Sequence, residues 1–197
     1  NNSLQRYGGD IAVSAMGVIF SIDSLLLLPL MGLSNGVQPV IGFNYGAQQF
    51  DRVKQALYYA VGLATAVVGF VYIAIMIKPA FFMRLFTTSE ELILVGSQGI
   101  RLFMLLFPLL GFQSIGSNYF QATGRPGQSI LLNLTRQAIF LIPAMLIIPR
   151  FLDLRGVWLA QPAADLLSFL LTAVFIVFEM RSLDLRGKEA RLNVSRG

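Results

Sequence analysis

The sequence predicts an all-α membrane protein, a polytopic bundle of about five transmembrane helices. Of its 197 residues, 55% are hydrophobic and 13% are charged, whereas a soluble domain carries about 25% charged residues. The mean hydropathy is +0.68. The apolar residues also fall into blocks that each reach the roughly 20 residues a helix needs to cross the hydrocarbon layer. These blocks are 11–33, 56–77, 92–120, 128–149 and 156–178.

We expect helices near 10–46, 52–78, 91–121, 127–149 and 156–180, which together form a transmembrane bundle over 10–180. Residues 1–9 are expected to be the end of an earlier helix with its loop, and residues 181–197 a basic tail. The chain begins with Asn, has no signal-peptide pattern, and its five spans would place its ends on opposite sides of the membrane. We therefore expect it to be the C-terminal portion of a longer transporter or channel.

The first two predicted helices differ in their content of polar and charged residues. The first extends beyond its apolar block through a stretch rich in Gly, Asn and Gln, and its block contains one charge, Asp23. The second has no charge within 56–77, and Gly62, Thr65, Ala66 and Gly69 lie near one of its faces. Small residues on one face predict close packing against a neighbouring helix.

The third, fourth and fifth helices each contain a proline within the apolar block: Pro108, Pro143 and Pro162. The first helix contains two more, Pro29 and Pro39. Proline removes a backbone donor and tends to bend a helix. Membrane helices also tolerate proline without any functional reason, but four bent spans of five favour a transporter that changes shape over a static anchor.

The basic residues predict the orientation. Five of the 15 Lys and Arg residues lie in the tail 181–197, and cytoplasmic segments are enriched in these residues. We therefore expect a cytoplasmic C-terminus and a place in the plasma (inner) membrane. The basic residues do not cluster on a soluble domain, so nucleic acid is not an expected partner.

Four ionisable side chains lie within the spans: Asp23, Arg101, Arg136 and Asp165. Each is costly in hydrocarbon and therefore indicates a role. Asp165 lies near mid-membrane, and helical spacing places it on one side with Trp158, Gln161, Ser168 and Thr172. This polar stripe is typical of a cavity wall that binds a cation or a proton. The alternative is that Asp165 is a buried partner of Arg136.

Asp23 is also near mid-depth but shares its face with apolar residues, so an ion pair with Arg101 is an equal alternative to a ligand role. Arg101 and Arg136 are therefore ion-pair candidates. Gln113, Ser117 and Gln121 follow a four-residue spacing on the third helix. They would either line a passage or bond to a neighbouring helix.

The residue inventory excludes several kinds of catalytic site. Histidine and cysteine are absent, which removes the commonest general base, the commonest thiol nucleophile and the usual zinc ligands. No Gly-rich phosphate loop with Lys is present. We expect no enzyme activity, metal or cofactor, with any driving energy coming from an ion gradient. A non-transporting structural membrane module is the alternative from another class.

The stretch "GLSNGVQPVIGFNYGAQQFDRVKQ", residues 32–55, resembles the end of the second helix of a lobe in the multidrug and toxic-compound extrusion (MATE) family. The matching positions are Gly36, Gln38, Pro39, Asn44, Tyr45, Gly46 and Ala47. "FQATGRPGQSILLNLTRQAIFLIPAMLIIP", which contains Gly124, is similar to the exit of the family's tenth helix and its eleventh. "LRGVWLAQPAAD" resembles the start of the twelfth.

The resemblance implies helices eight to twelve of the C-terminal lobe, with a remnant of helix seven at residues 1–9. Such a transporter has twelve helices in two six-helix lobes with alternating access between them. The resemblance implies export of organic, mostly cationic drugs in exchange for sodium ions or protons. It also implies three partners: the drugs, the lipid bilayer and an N-terminal lobe of the same polypeptide.

The resemblance does not assign the cation ligands. Several family members use acidic residues on helices seven and ten, but the predicted tenth helix has no carboxylate inside it. Asp165, Asp23, Gln161 and Gln113 remain the candidates for the cation, proton or substrate site. The alternative within transport is a flippase for a lipid-linked oligosaccharide or another lipid, which would need a strongly cationic cavity.

Overall fold

A computed structural model describes residues 2–194, with side chains for residues 9–188. This part of the chain is a helical bundle, as predicted. Its helices are α1 (Asn2–Gly46), α2 (Phe50–Ile77), α3 (Pro79–Arg84), α4 (Glu90–Phe103), α5 (Leu109–Ala122), α6 (Pro126–Leu134), α7 (Ile142–Ile147) and α8 (Pro149–Val194), with a π-helical segment (Thr135–Leu141) between α6 and α7.

Four helical stretches of the described chain are long and apolar enough to cross a membrane: Gly9–Gly46, Phe50–Ile77, Pro126–Ile147 and Pro149–Lys188. The third predicted helix, 91–121, is instead two consecutive helices, α4 and α5, of 14 residues each. The interruption precedes Pro108, which has no N–H for the carbonyl of Met104. Tighter three-residue bonds fill the gap, including Phe107 N–H to the Met104 carbonyl at 3.0 Å.

The proline of the fourth predicted helix has a different effect. Pro143 is the second residue after the π-helical segment and has no N–H to donate to the carbonyl of Ile139. The preceding turn is wider than an α-helical turn, and such turns are frequent at functional sites. Arg136 lies within this π-helical segment.

Two residues interrupt the long helices near their beginnings. Gly9 has φ 64° and ψ −167°, which separates the first residues of α1 from the membrane helix. Asp153 has φ 49° and ψ −134°, so the long continuous part of α8 begins after it. That part continues helically to Val194, through most of the predicted basic tail. The remainder of that tail, 195–197, lies outside the described residues.

The core of the bundle is built around α5, which packs against α1, α2, α6 and α8. Glycine allows the closest of these approaches. A Cβ atom at Gly111 would lie 2.8 Å from the backbone nitrogen of Thr65 in α2, and a Cβ at Gly116 would lie 2.7 Å from the methyl group of Thr172 in α8. The two glycines therefore set the spacing between α5 and its neighbours.

The predicted close-packing surface of α2 is confirmed only at Thr65, whose backbone approaches Gly111, whereas Gly62 and Gly69 lie on the outward face. A Cβ atom at Gly62 or Gly69 would meet nothing within 4 Å. The buried residues of α2 are instead Val53, Leu57, Ala60, Ala64, Val68 and Ile75. The exposed face carries large apolar side chains such as Phe70, which is 76% exposed. An apolar outer surface of this extent is what lipid contact requires.

We predict that Gly111→Val destabilises the protein because the new side chain would overlap the backbone of α2. Overpacking of this kind costs about 1–3 kcal/mol, which corresponds to a fall of several degrees in the unfolding temperature. Gly62→Val is the matched control, since it places the same side chain at an open helical position. Thermal unfolding of the full-length parent protein in detergent is the measurement. Equal shifts for the two variants would contradict the packing role of Gly111.

Candidate functional site

The main intramembrane charge contact joins Arg136 to Asp165. Asp165 is 3% exposed, and one of its carboxylate oxygens accepts from Arg136 Nε at 3.0 Å and lies 2.9 Å from Arg136 Nη2. Gln161, one turn earlier in α8, donates to the same oxygen at 3.2 Å. The structure thus brings together three predicted site residues. It also shows that Asp165 is a buried partner of Arg136, which was the alternative considered from the sequence.

Asp23 provides a second carboxylate near this pair. It is half-buried in α1 and lies within electrostatic range of both Arg136 and Asp165. With both carboxylates ionised, the three side chains would together carry one net negative charge. The ion pair considered between Asp23 and Arg101 does not form among the described side chains. Arg101 is exposed and borders a surface cavity near Lys78 and Glu90.

A cavity of about 170 Å³ lies beside Arg136. Its lining residues are Leu27, Leu30, Met31, Leu110, Gln113, Ser114, Asn133 and Arg136. Asp23 is one helical turn before Leu27 on the same face of α1. One side of the cavity is therefore apolar and the other carries a guanidinium and three uncharged polar side chains.

Gln113 is the buried polar residue of this cavity. It is 4% exposed, and its Oε1 atom has no hydrogen-bond partner among the described side chains. The neighbouring Ser114 bonds to Ser34 of α1 at 3.0 Å. An acceptor oxygen in this position can receive a hydrogen bond or coordinate a cation.

The predicted polar row on the third helix divides between both proposed roles. Gln113 lines the cavity. Ser117 instead bonds to α6, where it lies 3.1 Å from Ser129 Oγ and accepts from Asn133 Nδ2 at 2.9 Å. Gln121 is exposed at the end of α5. The row is therefore partly a cavity wall and partly a contact between helices.

The polar stripe of α8 faces the interior of the bundle. Trp158, Ser168 and Thr172 are buried, and the indole nitrogen and both hydroxyl groups lack hydrogen-bond partners among the described residues. Gln161 is only partly buried. The stripe is thus mainly a packing face, with Asp165 as its charged centre.

The family-motif residues of α1 lie at one end of the bundle. Tyr45 accepts a hydrogen bond from Arg186 Nη1 at 2.8 Å, and the guanidinium of Arg125 lies 6.0 Å from its ring centroid. Asn44 donates to the Val40 carbonyl at 2.8 Å. In the turn after α1 the positive φ belongs to Gln48, not to Gly46. Tyr45 therefore links three segments at this end.

The remaining motif positions have local roles. Gly36 has open space where a Cβ would lie, and Gly46 and Ala47 are exposed at the turn after α1. Gly124 has φ 76° and provides the reversal between α5 and α6. Gln38 and Pro39 lie on α1, which continues through the proline to Gly46.

A buried ion pair at the same end was not predicted from the sequence. Glu179 of α8 is 6% exposed; Arg125 donates to one of its oxygens at 2.7 Å and also bonds the other, which accepts from the Tyr119 hydroxyl at 3.1 Å. These bonds raise the pKa of the Arg125 guanidinium above its usual value. Glu179 follows its apolar block directly, and Arg125 is predicted on the same side of the membrane. These two positions were the signal in the sequence from which the ion pair could have been predicted.

We predict that Glu179→Gln destabilises the bundle because it leaves Arg125 without its charge partner. Removing one partner of a buried pair costs about 3–5 kcal/mol, and we expect the lower end because the Arg125 side chain is 29% exposed. Glu91→Gln, at an exposed position of α4, is the matched control. Thermal unfolding in detergent measures both, and an unchanged Glu179→Gln variant would contradict the structural role of the pair.

Comparison with known proteins matches the MatE family model to residues 3–147. The multidrug export protein MepA of Staphylococcus haemolyticus is 24% identical over 175 residues, which is 88% of this chain and 38% of MepA. The FAD transporter of Shewanella oneidensis is 28% identical over 160 residues, 79% of this chain and 34% of the relative.

A solved structure of the MATE multidrug transporter DinF-BH in complex with R6G is 35% identical, with a TM-score of 0.78 over 91% of this chain and 40% of that chain. The chain spans about two fifths of the length of the relatives it matches. The family model covers well over half of this chain. The chain therefore belongs to the MatE (multidrug and toxic-compound extrusion) family.

Proposed function

We propose that the full-length protein is a secondary antiporter that exports organic, mostly cationic drugs in exchange for sodium ions or protons by alternating access. The observation that carries this proposal is the group of Asp23, Arg136 and Asp165 beside a cavity with one polar side. The names of two relatives support it: one is a multidrug export protein and another a multidrug transporter.

The charge balance of this group suits exchange. Two carboxylates facing one guanidinium leave one negative charge to be matched by a proton, a sodium ion or an organic cation. Only one of these can neutralise that charge at a time, so coupling ion and drug compete. Whichever ligand is bound then shifts the equilibrium between the two orientations of the transporter, according to its affinity for each. Asp23 is the proposed acceptor, because Arg136 already bonds to Asp165 directly.

The outer face of α1 supports a second lobe as the partner of this bundle. Gly17, Ser21, Ser24, Asn35 and Gly36 are exposed on this helix. Small and polar residues in a membrane helix favour contact with other helices or with an aqueous cleft over contact with lipid tails. We propose that this face lines the cleft between the two lobes, where the drug passes.

The contacts at one end of the bundle support the proposed orientation. The Lys54–Asp184 ion pair, the Arg125–Glu179 ion pair and the Arg186–Tyr45 bond gather basic residues of α2, of the turn before α6 and of α8 at the same end. Enrichment of Lys and Arg favours the cytoplasmic side. We propose that this end, with the C-terminus, lies in the cytoplasm and that the protein occupies the plasma membrane.

A second candidate is the export of an organic anion. Arg136 lines the cavity, and one relative is named an FAD transporter. A phosphate-bearing substrate would then bind the guanidinium when Asp165 is protonated. This alternative needs more positive charge than the single arginine of this cavity, so the second lobe would have to supply it.

We predict that the full-length protein, reconstituted in liposomes, moves a fluorescent organic cation against its gradient when a sodium or proton gradient is imposed. Each gradient is applied separately, so the result also identifies the coupling ion. Protein-free liposomes under the same gradients are the control for leakage. Movement of a flavin nucleotide but of no organic cation would favour the second candidate, and movement of neither would contradict both.

We predict that Asp165→Asn lowers drug export by roughly tenfold or more while the protein is still made and folded. With Asp165 neutral, Arg136 is free to pair with Asp23, and the uncompensated negative charge is lost. Site couplings of this kind correspond to about 5–150-fold effects. The measurement is transport at matched protein amounts, judged by size-exclusion profiles.

The matched control is Asp153→Asn, which makes the same chemical change at an exposed position. It should export the drug at the parent rate. Full export by Asp165→Asn would contradict the proposed role, and loss of folded Asp165→Asn protein would show that the ion pair is structural.

A further inference from the structure

A second cavity, separate from the Arg136 site, opens on the outside of the bundle between α2 and α8. It has a volume of about 470 Å³. Its lining residues are Leu57, Tyr58, Val61, Phe112, Gly116, Phe169, Ala173, Ile176, Val177, Met180, Arg181 and Asp184. None of the candidate residues for drug or cation binding belongs to this groove.

Most of the groove is apolar. Its base includes the rings of Phe112 and Phe169, which pack edge to face with centroids 5.1 Å apart. Gly116 leaves the floor without a side chain, and Val177 on one wall is 51% exposed. A flexible hydrocarbon chain fits such a surface, because it buries apolar area without needing hydrogen bonds.

One end of the groove is polar and carries a positive charge. Asp184 is neutralised by its ion pair with Lys54. Arg181 is exposed and has no charge partner among the described residues. Tyr58 lies at the same end and is 66% exposed. An arginine and a tyrosine where an apolar helix face gives way to charged residues are typical of the headgroup level of a membrane.

The surface next to the groove indicates that lipid reaches it. Along α2, large apolar side chains are exposed beyond Tyr58 and Tyr59: Leu63, Val67, Phe70, Ile73 and Ile77. Beyond Tyr59, Gly62 and Ala66 are also exposed on this face, but no hydroxyl or amide side chain is, in contrast to the outer face of α1. This face of α2 therefore has the composition of a helix surface in contact with acyl chains rather than with another helix.

We propose that this groove is a binding site for a phospholipid with an anionic headgroup. One acyl chain lies along the apolar groove, and the phosphate accepts hydrogen bonds from Arg181, with the Tyr58 hydroxyl beside it. The unpaired positive charge at the mouth favours an anionic headgroup over a zwitterionic one. The site does not depend on which drug or coupling ion the transporter uses.

The test is native mass spectrometry of the full-length protein, purified in mild detergent and titrated with dioleoyl phosphatidylglycerol or dioleoyl phosphatidylcholine. Ala173→Trp places a large side chain in the groove, and Val174→Trp places the same side chain at the next residue, outside the groove lining. Arg181→Gln removes the proposed phosphate contact. Arg150→Gln removes an exposed arginine outside the groove lining.

We expect the parent protein to retain phosphatidylglycerol in preference to phosphatidylcholine. Ala173→Trp should abolish this preferential binding, and Arg181→Gln should weaken it about fivefold, the effect of one basic residue at a membrane surface. Both control variants should bind as the parent does. Because Arg181 is exposed, its replacement tests the headgroup contact without disturbing the core.

Three results would overturn the proposal. The first is equal retention of the two lipids by the parent protein. The second is unchanged phosphatidylglycerol binding in Arg181→Gln. The third is absence of any retained lipid, which would mean that another part of the polypeptide covers the groove. Drug transport is measured separately, so these outcomes leave the proposed antiport function untouched.

Discussion

The constraint on which this bundle depends is that charges inside a membrane need partners. Arg136 and Asp165 satisfy each other directly, with Gln161 as a second donor to the carboxylate. An unpaired charge at the centre of a membrane helix costs about 2.5–3.5 kcal/mol or more. The pair therefore fixes how the π-helical segment lies against α8. Asp23 of α1 adds a second carboxylate within electrostatic range of this pair.

Polar contacts are distributed unevenly along the bundle. At one end, the Arg125–Glu179 and Lys54–Asp184 ion pairs and the Arg186–Tyr45 bond join α8 to α1, to α2 and to the turn before α6. In the middle, the helices meet around a cavity with an unpartnered Gln113 oxygen. A displacement of α8 at the connected end would carry its neighbours with it, whereas the middle has space for side chains to rearrange.

The bundle could be predicted well from the sequence because an apolar segment can adopt only a few backbone structures in lipid. Blocks of about 20 apolar residues must form helices that satisfy their own backbone, and the described helices follow those blocks. The effects of the prolines were less predictable. Pro108 coincides with a full interruption between α4 and α5, while Pro143 follows a π-helical segment. The choice between these outcomes depends on neighbouring helices, which a single chain sequence does not contain.

The partners of the candidate residues were predictable only in part. Asp165 and Arg136 were paired correctly as an alternative, because they lie in neighbouring predicted spans. Asp23 was considered with Arg101, but α1 presents it to Arg136 and Asp165 instead. The packing glycine of α5, Gly111, was missed in favour of Gly62, because small residues mark a packing face only once the helix arrangement is known. Glu179 was missed because it immediately follows the boundary of its apolar block.

The most direct test of this account is a double-mutant cycle on the two charges that it places at the centre of the bundle. Thermal unfolding of the full-length protein would be compared for Arg136→Gln, for Asp165→Asn and for the double variant. Arg136→Gln leaves a buried carboxylate unpaired and should be the least stable of the three, whereas the double variant should recover much of that loss. A double variant whose loss of stability equals the sum of the two single losses would contradict the account, because the two charges would then not depend on each other.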